Sequence, residues 1–262
     1  MPLNYGDDVV IMFDDGSTYL IKLNENSQFG THKGNIKHSE LVNRNFGDVF
    51  ELNGTYVYIL EPTIVDYIFK MKRRTQIVYP KDSGFVLLML DIKEGDRVID
   101  AGVGSGAMCG LLARYVGNTG RVFAYERRED FIELAKKNLE RWGLLNRVEF
   151  KNRDISEGFD EENVDAFFLD VPDPIPHIGN VWKVLKGSGR LAVLCPTTNQ
   201  VQDVIKKMQQ TGFARIEVWE NLFRQYKPNP KRLRPFDRMV AHTAYLVFGI
   251  KINQEEKGVD SK

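Results

Sequence analysis

The sequence predicts an α/β fold, an open, doubly wound, mostly parallel sheet preceded by a small β domain. Three observations predict it. Up to residue 70, short β-branched and aromatic runs are separated by turn signals. Beyond it, apolar runs alternate with amphipathic stretches of helical period, and acidic residues close successive apolar runs. A length of 262 residues suits one main domain with a smaller appendage. The boundaries read from these patterns are 1–70 for the β domain, 71–252 for the α/β domain and 253–262 for a frayed tail (EEKGVDSK at its end).

In the first part, residues 9–13 (VVIMF), 18–23 (TYLIKL) and 56–60 (YVYIL) are strand candidates, punctuated by DDG, GTHKG and LNG. In the second, the strand candidates RVIDAG, RVFAYE, VEFKNRD, VDAFFLD and GRLAVLCP alternate with helices. These begin at Ala107, at FIELAKKNLERWG, around VWKVL and near VQDVIKKMQQTG. Such alternation means parallel strands joined by crossover helices, and sheets of this kind bind ligands outside the carboxyl ends of their strands.

Lysine plus arginine equals aspartate plus glutamate, 36 each, so total charge argues for neither nucleic acid nor membrane, and any such partner must be recognised by local patches. Cys109 and Cys195 lie far apart without metal-ligand spacing, which predicts buried free thiols, no zinc site and no disulfide framework. No stretch approaches the length of a membrane span. The start, MPLNYGDDVVIMF, has neither the basic flank nor the apolar core of a signal peptide. A soluble, cytoplasmic protein is expected.

The chemistry begins at Asp100-Ala101-Gly102-Val103-Gly104-Ser105-Gly106, directly after an apolar run. Glycines there let a tight turn bring backbone close to a ligand at the start of the next helix, where unpaired N–H groups point outward. GVGSGA also satisfies the dinucleotide signature G-x-G-x-x-G/A. Asp100 favours a different ligand: a carboxylate repels pyrophosphate but attracts the cationic amino-acid end of S-adenosylmethionine. Glu126 closes the second run, at the distance where an acid meets ribose hydroxyls; the alternative is an exposed loop acid among Arg127, Arg128, Glu129 and Asp130. Asp154 closes the third, where it can accept from the donor's adenine amine or cap a helix. Asp170 closes the fourth and leads into Val171-Pro172-Asp173-Pro174, two prolines that fix a rigid turn and hold the carboxylate at the sheet edge.

Asp100 to Gly106, Glu126, Asp154 and Asp170 resemble the ordered motifs of Rossmann-like class I S-adenosylmethionine-dependent methyltransferases. The segments 73–84 (RRTQIVYPKDSG), 169–174 (LDVPDP), 196–201 (PTTNQV) and 234–246 (RPFDRMVAHTAYL) resemble the narrower family of tRNA (adenine-N1)-methyltransferases acting on the T loop. These segments span most of the chain after residue 70. Ile175 departs from the family, which often has tryptophan there, and so removes an indole from that position. The N-terminal β domain matches only in kind.

The resemblance implies transfer of methyl to N1 of adenine 58, or of 57 and 58, in tRNA. It implies S-adenosylmethionine as donor, a homotetramer, no metal, and a β domain that contacts RNA or a partner copy. The donor residues it implies are Gln76, Asp100, Gly102, Val103, Gly104, Ser105, Gly106, Glu126, Asp154 and Asp170, with Asp170 and Tyr79 as catalytic candidates. Asp170 can face N6 of the target adenine or the donor's ammonium group. QIVYPKD (76–82) is expected to be a loop crossing the donor pocket, with Tyr79 stacking on a flipped base or packing between the domains. Local charge supplies the RNA candidates: Arg73 and Arg74, and Lys227, Arg232 and Arg234 beside Phe223, Tyr226 and Phe236. The run His242-Thr243-Ala244-Tyr245 can reach the catalytic end, with a core position as the alternative for His242. Two other classes stand beside this one: a small-molecule or protein methyltransferase on the same fold, and a non-enzymatic RNA-binding module with a vestigial pocket.

Overall fold

Asparagine and glycine at positive φ cut the first part of the chain into hairpins. Asn53 (φ 49°) and Gly54 (φ 78°) supply the left-handed pair that a two-residue hairpin turn requires, joining the strands Val49–Leu52 and Thr55–Leu60. The computed structural model describes residues 2–253, so the expected tail lies almost wholly outside the described residues. The chain divides into two compact units, Met1–Met71 and Lys72–Lys262.

The first unit contains β1 (Asp8–Phe13), β2 (Thr18–Lys22), β3 (Gln28–Thr31), β4 (Gly34–Lys37), β5 (Val49–Leu52), β6 (Thr55–Leu60) and α1 (Ile64–Lys70). Four strands form an antiparallel sheet in the order β2-β1-β6-β5, and β3 pairs with β4 alone. Alternate residues Val9, Ile11, Phe13, Val57 and Ile59 turn to one face and join Ile21, Leu23, Ile36 and Leu41 in a single apolar core. Helix α1 starts at a capping box: Asp66 N–H donates to the Thr63 hydroxyl at 3.2 Å, and Thr63 N–H donates to the Asp66 carboxylate at 2.8 Å.

The second unit follows the predicted alternation: α2 (Pro80–Leu90), β7 (Arg97–Ala101), α3 (Ala107–Tyr115), β8 (Arg121–Glu126), α4 (Glu129–Arg141), β9 (Val148–Asn152), β10 (Val164–Leu169), α5 (Ile178–Val184), β11 (Leu185–Cys195), α6 (Thr198–Thr211) and β12 (Phe213–Trp219). Two short strands, β13 (Tyr226–Lys227) and β14 (Arg234–Pro235), precede β15 (Tyr245–Lys251). Seven strands make one sheet in the order β12-β15-β11-β10-β7-β8-β9. Strands β11, β10, β7, β8 and β9 pair in parallel, and β15 runs antiparallel to both its neighbours.

Strand period decides what each face buries. Ile99, Ala101, Phe123, Tyr125, Phe167 and Leu169 turn towards Val181 of α5 and Val201, Val204 and Met208 of α6. The alternate residues face the other way, where α3 lies against β7 and β8, and α4 against β8 and β9. Because β8 and β9 follow β7 on one side while β10 and β11 lie on the other, strand order reverses between β7 and β10. A crevice opens at the carboxyl edge of such a reversal.

Two expectations are corrected. Residues 76–82 are not all loop: Pro80 is the first residue of α2, its fixed φ suits that position, and Lys81 and Asp82 are helical. Strand β9 ends at Asn152, two residues before Asp154. Both thiols are buried and free, as the spacing predicted.

Gly110 in α3 lets the Trp142 ring pass so close that a Cβ there would lie 2.2 Å from it. Gly110→Ala is therefore expected to destabilise the fold by about 1–3 kcal/mol through overpacking, despite a helix-propensity gain of about 1 kcal/mol. Urea unfolding of the two proteins checks this, and a stabilised variant would contradict the packing account.

Candidate active site

The crevice holds a cavity of about 700 Å³, within the range of small-molecule sites. Its wall on the β7–β9 side is built from the glycine turn. Gly102 has φ 96°, and a Cβ there would sit 1.9 Å from the Asp170 carbonyl oxygen, so only glycine lets β7 turn away beside the end of β10. Gly104 N–H donates to the Glu126 carboxylate at 3.2 Å, and Arg128 N–H donates to the other oxygen at 3.0 Å. Gly106 (φ 90°) precedes α3, where a Cβ would strike Leu139 at 2.8 Å. Ser105 is buried; its hydroxyl accepts from Arg74 N–H at 3.3 Å.

Among the sequence candidates, Gln76, Tyr79, Gly102, Val103, Gly104, Ser105, Glu126, Asp154 and Asp170 line this one cavity. Asp154 lines the cavity and also caps a 3-10 turn, accepting from Ser156 N–H at 2.9 Å. That bond, with Arg127 at 3.7 Å, holds its carboxyl below the usual range. Asp100 and Gly106 stand behind the wall rather than on it. The RNA candidates lie outside the cavity. Arg74 pairs with Asp130 at 2.9 Å and Lys227 with Asp237 at 2.7 Å, while Arg73, Arg232 and Arg234 are exposed. His242 is exposed, not a core residue, and bonds to Glu220 at 2.7 Å and the Pro196 carbonyl at 3.3 Å. Those acceptors raise its pKa.

Thr243 and Ala244, of the run expected to reach the catalytic end, line the cavity, whereas sequence reasoning missed Arg153, Ile155, His177 and Leu194. It also missed Asn138, a buried residue of α4 whose side-chain amide donates to the carbonyls of Lys72 and Ser105, both at 2.9 Å. It thereby ties the segment before the cavity to the glycine turn. Only its inward position in a helix otherwise reading as amphipathic marked it. Gln200 of α6 fixes the proline turn by donating to the Pro172 carbonyl at 2.7 Å.

The crevice carries both signs of charge, with Arg127, Arg128 and Arg153 on its lining, but at Asp170 and the buried Asp100 it is acidic. Asp100 is buried, and its carboxylate has no hydrogen-bond partner among the described residues; only the weakly donating thiol of Cys109 adjoins it. Desolvation, then the charges of Asp170 and Glu126, push its pKa up to about 8. Desolvation alone pushes Asp170 up to about 6. Two adjoining acids that resist ionisation form a site complementary to a cation.

The family model for the tRNA methyltransferase complex GCD14 subunit matches residues 55–234, and a TrmI-like N-terminal model matches residues 2–49. The chain belongs to the GCD14 family. A relative from Methanocaldococcus jannaschii, tRNA (adenine(57)-N(1)/adenine(58)-N(1))-methyltransferase TrmI, is 32% identical over 90% of this chain and 92% of its own. Among solved structures, the tRNA (m1A58) methyltransferase TrmI of Aquifex aeolicus is 34% identical with a TM-score of 0.87, covering 97% of this chain and 100% of that one. A Thermotoga maritima protein described as a SAM-dependent O-methyltransferase is 56% identical with a TM-score of 0.93, covering 98% and 97%. Among the described residues of this GCD14-family chain, no helix is long and apolar enough to cross a membrane.

Asp100 gives a pH prediction. Its pKa is raised above the ordinary 3.8, so the stability its neutral form contributes is fully present below about 4 and is lost as pH rises through about 8. In the ligand-free protein, Asp100→Asn is expected to gain stability relative to the parent between pH 5 and pH 8. Urea midpoints at the two pH values measure this; an unchanged difference would contradict the assignment.

Proposed function

We propose that this protein transfers a methyl group from S-adenosylmethionine to N1 of an adenine in tRNA, with adenine 58 of the T loop as target. The observation that carries the reading is Asp170, held on the cavity wall at the strand-order reversal between β7 and β10. Its backbone N–H donates to the Ala101 carbonyl at 2.9 Å, and its own carbonyl packs on Gly102.

The residues present fit the donor. The unpartnered Asp100 carboxylate and the Gly102–Ser105 turn favour the ammonium end, Glu126 has lone pairs for ribose hydroxyls, and Asp154 lies on the same side of the cavity. When bound, S-adenosylmethionine supplies an electrophilic methyl on a sulfonium. Adenine N1 carries an in-plane lone pair and no proton, so no base is needed to create the nucleophile, and positioning carries most of the rate. As N1 takes up the methyl the base becomes cationic and its N6 amine a stronger donor. A fixed Asp170 carboxylate beside N6 therefore stabilises the transition state more than the ground state. Tyr79, on the cavity wall, offers a ring for the flipped base. The exposed Arg73, Arg232 and Arg234, with Phe223 and Tyr226, suit phosphate contacts and stacking. A homotetramer is the assembly expected from the family resemblance, with the first unit in contact with RNA or a neighbouring copy.

A second reading, O-methylation, is favoured by the name given to the Thermotoga maritima relative. It requires a base to take a hydroxyl proton, and Asp170 would be that base. Transfer of labelled methyl to unmodified tRNA, followed by nucleoside analysis, separates the two. The proposal expects 1-methyladenosine that disappears when the T-loop adenines are replaced; a ribose-methylated nucleoside, or no labelled tRNA, would contradict it.

The acid supplies a further expectation. Asp170 must be ionised to accept from N6, and its raised pKa falls again near the cationic donor. The turnover rate should climb about tenfold per pH unit below an inflection at or under about 6 and stay level above it. In Asp170→Asn the rate should drop at least a hundredfold and lose that inflection. A variant retaining the parent's profile would overturn the role.

A further inference from the structure

Lys81 and Asp82, in the first turn of α2, form an ion pair almost closed to solvent, with side chains 10% and 2% exposed. The Lys81 ammonium donates to both Asp82 oxygens at 2.9 Å, to the Asn221 carbonyl at 3.0 Å and to the Thr243 hydroxyl at 2.6 Å. The Thr243 hydroxyl in turn donates to Asp82 at 2.6 Å. The Asn221 amide donates to the Lys81 carbonyl at 3.2 Å and to Asp82 at 3.4 Å. Every strong group in the cluster is answered, which is the condition under which a buried charge pair can persist.

Its placement carries more than stability. Asn221 and Thr243 are the two ends of the excursion between β12 and β15 that bears Arg224, Lys227, Lys231, Arg232, Arg234 and Arg238. Asp82 and Thr243 line the cavity with Asp170, Leu194 and Pro196, and Thr243 leads into β15, which pairs with β11 on the opposite side of β7 from β8 and β9, the strands that lead to Glu126 and Asp154. The amides of Asp82 and Ser83 both donate to the Tyr79 carbonyl, at 2.8 and 2.9 Å. One cluster therefore joins both roots of the basic excursion to the turn that presents Tyr79. A pair of neutral apolar residues would fill the same space without desolvating charge, but would not fix three backbone segments in one register.

We propose that Lys81, through Asp82 and Thr243, is a positioning residue that sets the register between tRNA held on the basic excursion and the target base in the cavity. The proposal rests on the tRNA reading above. It concerns the acceptor side of the cavity alone, so the donor site should be indifferent to it.

The test uses the full chain, with tRNA methylation by the parent as the control; a parent that methylates no tRNA refutes the tRNA reading, and with it this proposal's premise. With an active parent, Thr243→Val and Lys81→Met are assayed well below their unfolding temperatures. The expected result is a fall in kcat of tenfold or more, with dissociation constants for S-adenosylmethionine and for tRNA each within about threefold of the parent. Lys81→Met leaves Asp82 buried and unpaired, so its stability should fall; if it does not fold, Thr243→Val alone decides. The double variant Lys81→Met with Asp82→Leu removes both charges and should regain stability while kcat stays low. Lys81→Arg, which keeps the charge, should recover part of the rate. The proposal is overturned if the double variant regains kcat along with stability, if Thr243→Val turns over like the parent, or if donor affinity falls in step with kcat.

Discussion

At the crossover between β7 and β10, backbone contact and unanswered charge are forced into the same place. Gly102 has no side chain to separate the two strand ends, so the Asp170 carbonyl lies where a Cβ would be. That contact brings the Asp170 carboxylate near enough to raise the pKa of buried Asp100. Neither acid is offered a lysine or arginine there among the described residues. The fold thus keeps two desolvated acids together, Asp170 on the cavity wall and Asp100 behind it, and positive charge nearby would favour their ionised forms.

The remainder of the site arranges groups around that point. On one side Glu126 holds the glycine turn and Asp154 caps the next turn, and with Arg127, Arg128 and Arg153 they make the β8 and β9 edge polar and of mixed charge. On the other, Gln200 steadies the proline turn, and the cluster of Lys81, Asp82 and Thr243 steadies the wall opposite. The division follows from topology. A sheet whose order reverses between β7 and β10 opens a crevice at its carboxyl edge, and Asp170, directly after β10, stands at that reversal. Methyl transfer to a nitrogen that already holds a free lone pair asks of a protein mainly orientation and charge placement.

Much of this is legible in the sequence because strand ends carry local signals. Apolar runs of strand length, followed at once by Asp100, Glu126 or Asp170, place three acids at one sheet edge by pattern alone, and the glycines after Asp100 mark a close backbone approach. Asp154 is displaced by two residues because KNRD is polar and gives no sign of where pairing stops. Helix α2 is hidden because YPKDSG reads as a turn, whereas Pro80 serves as a helix start and the two charges after it are buried by residues more than a hundred positions away. The anchoring by Asn138 and the thiol beside Asp100 are likewise tertiary facts, since neither an asparagine in a helix nor an isolated cysteine announces its partner.

The proposal that buried Asp100 ionises to meet a cationic donor is tested most directly by calorimetric titration of S-adenosylmethionine at about pH 6.5. The titration is run in two buffers of different ionisation enthalpy. Binding is predicted to release close to one proton from the parent, seen as a buffer-dependent enthalpy, and to release far less from Asp100→Asn. Equal enthalpies in both buffers for the parent would contradict the account, because the donor's charge would then be met without ionising Asp100.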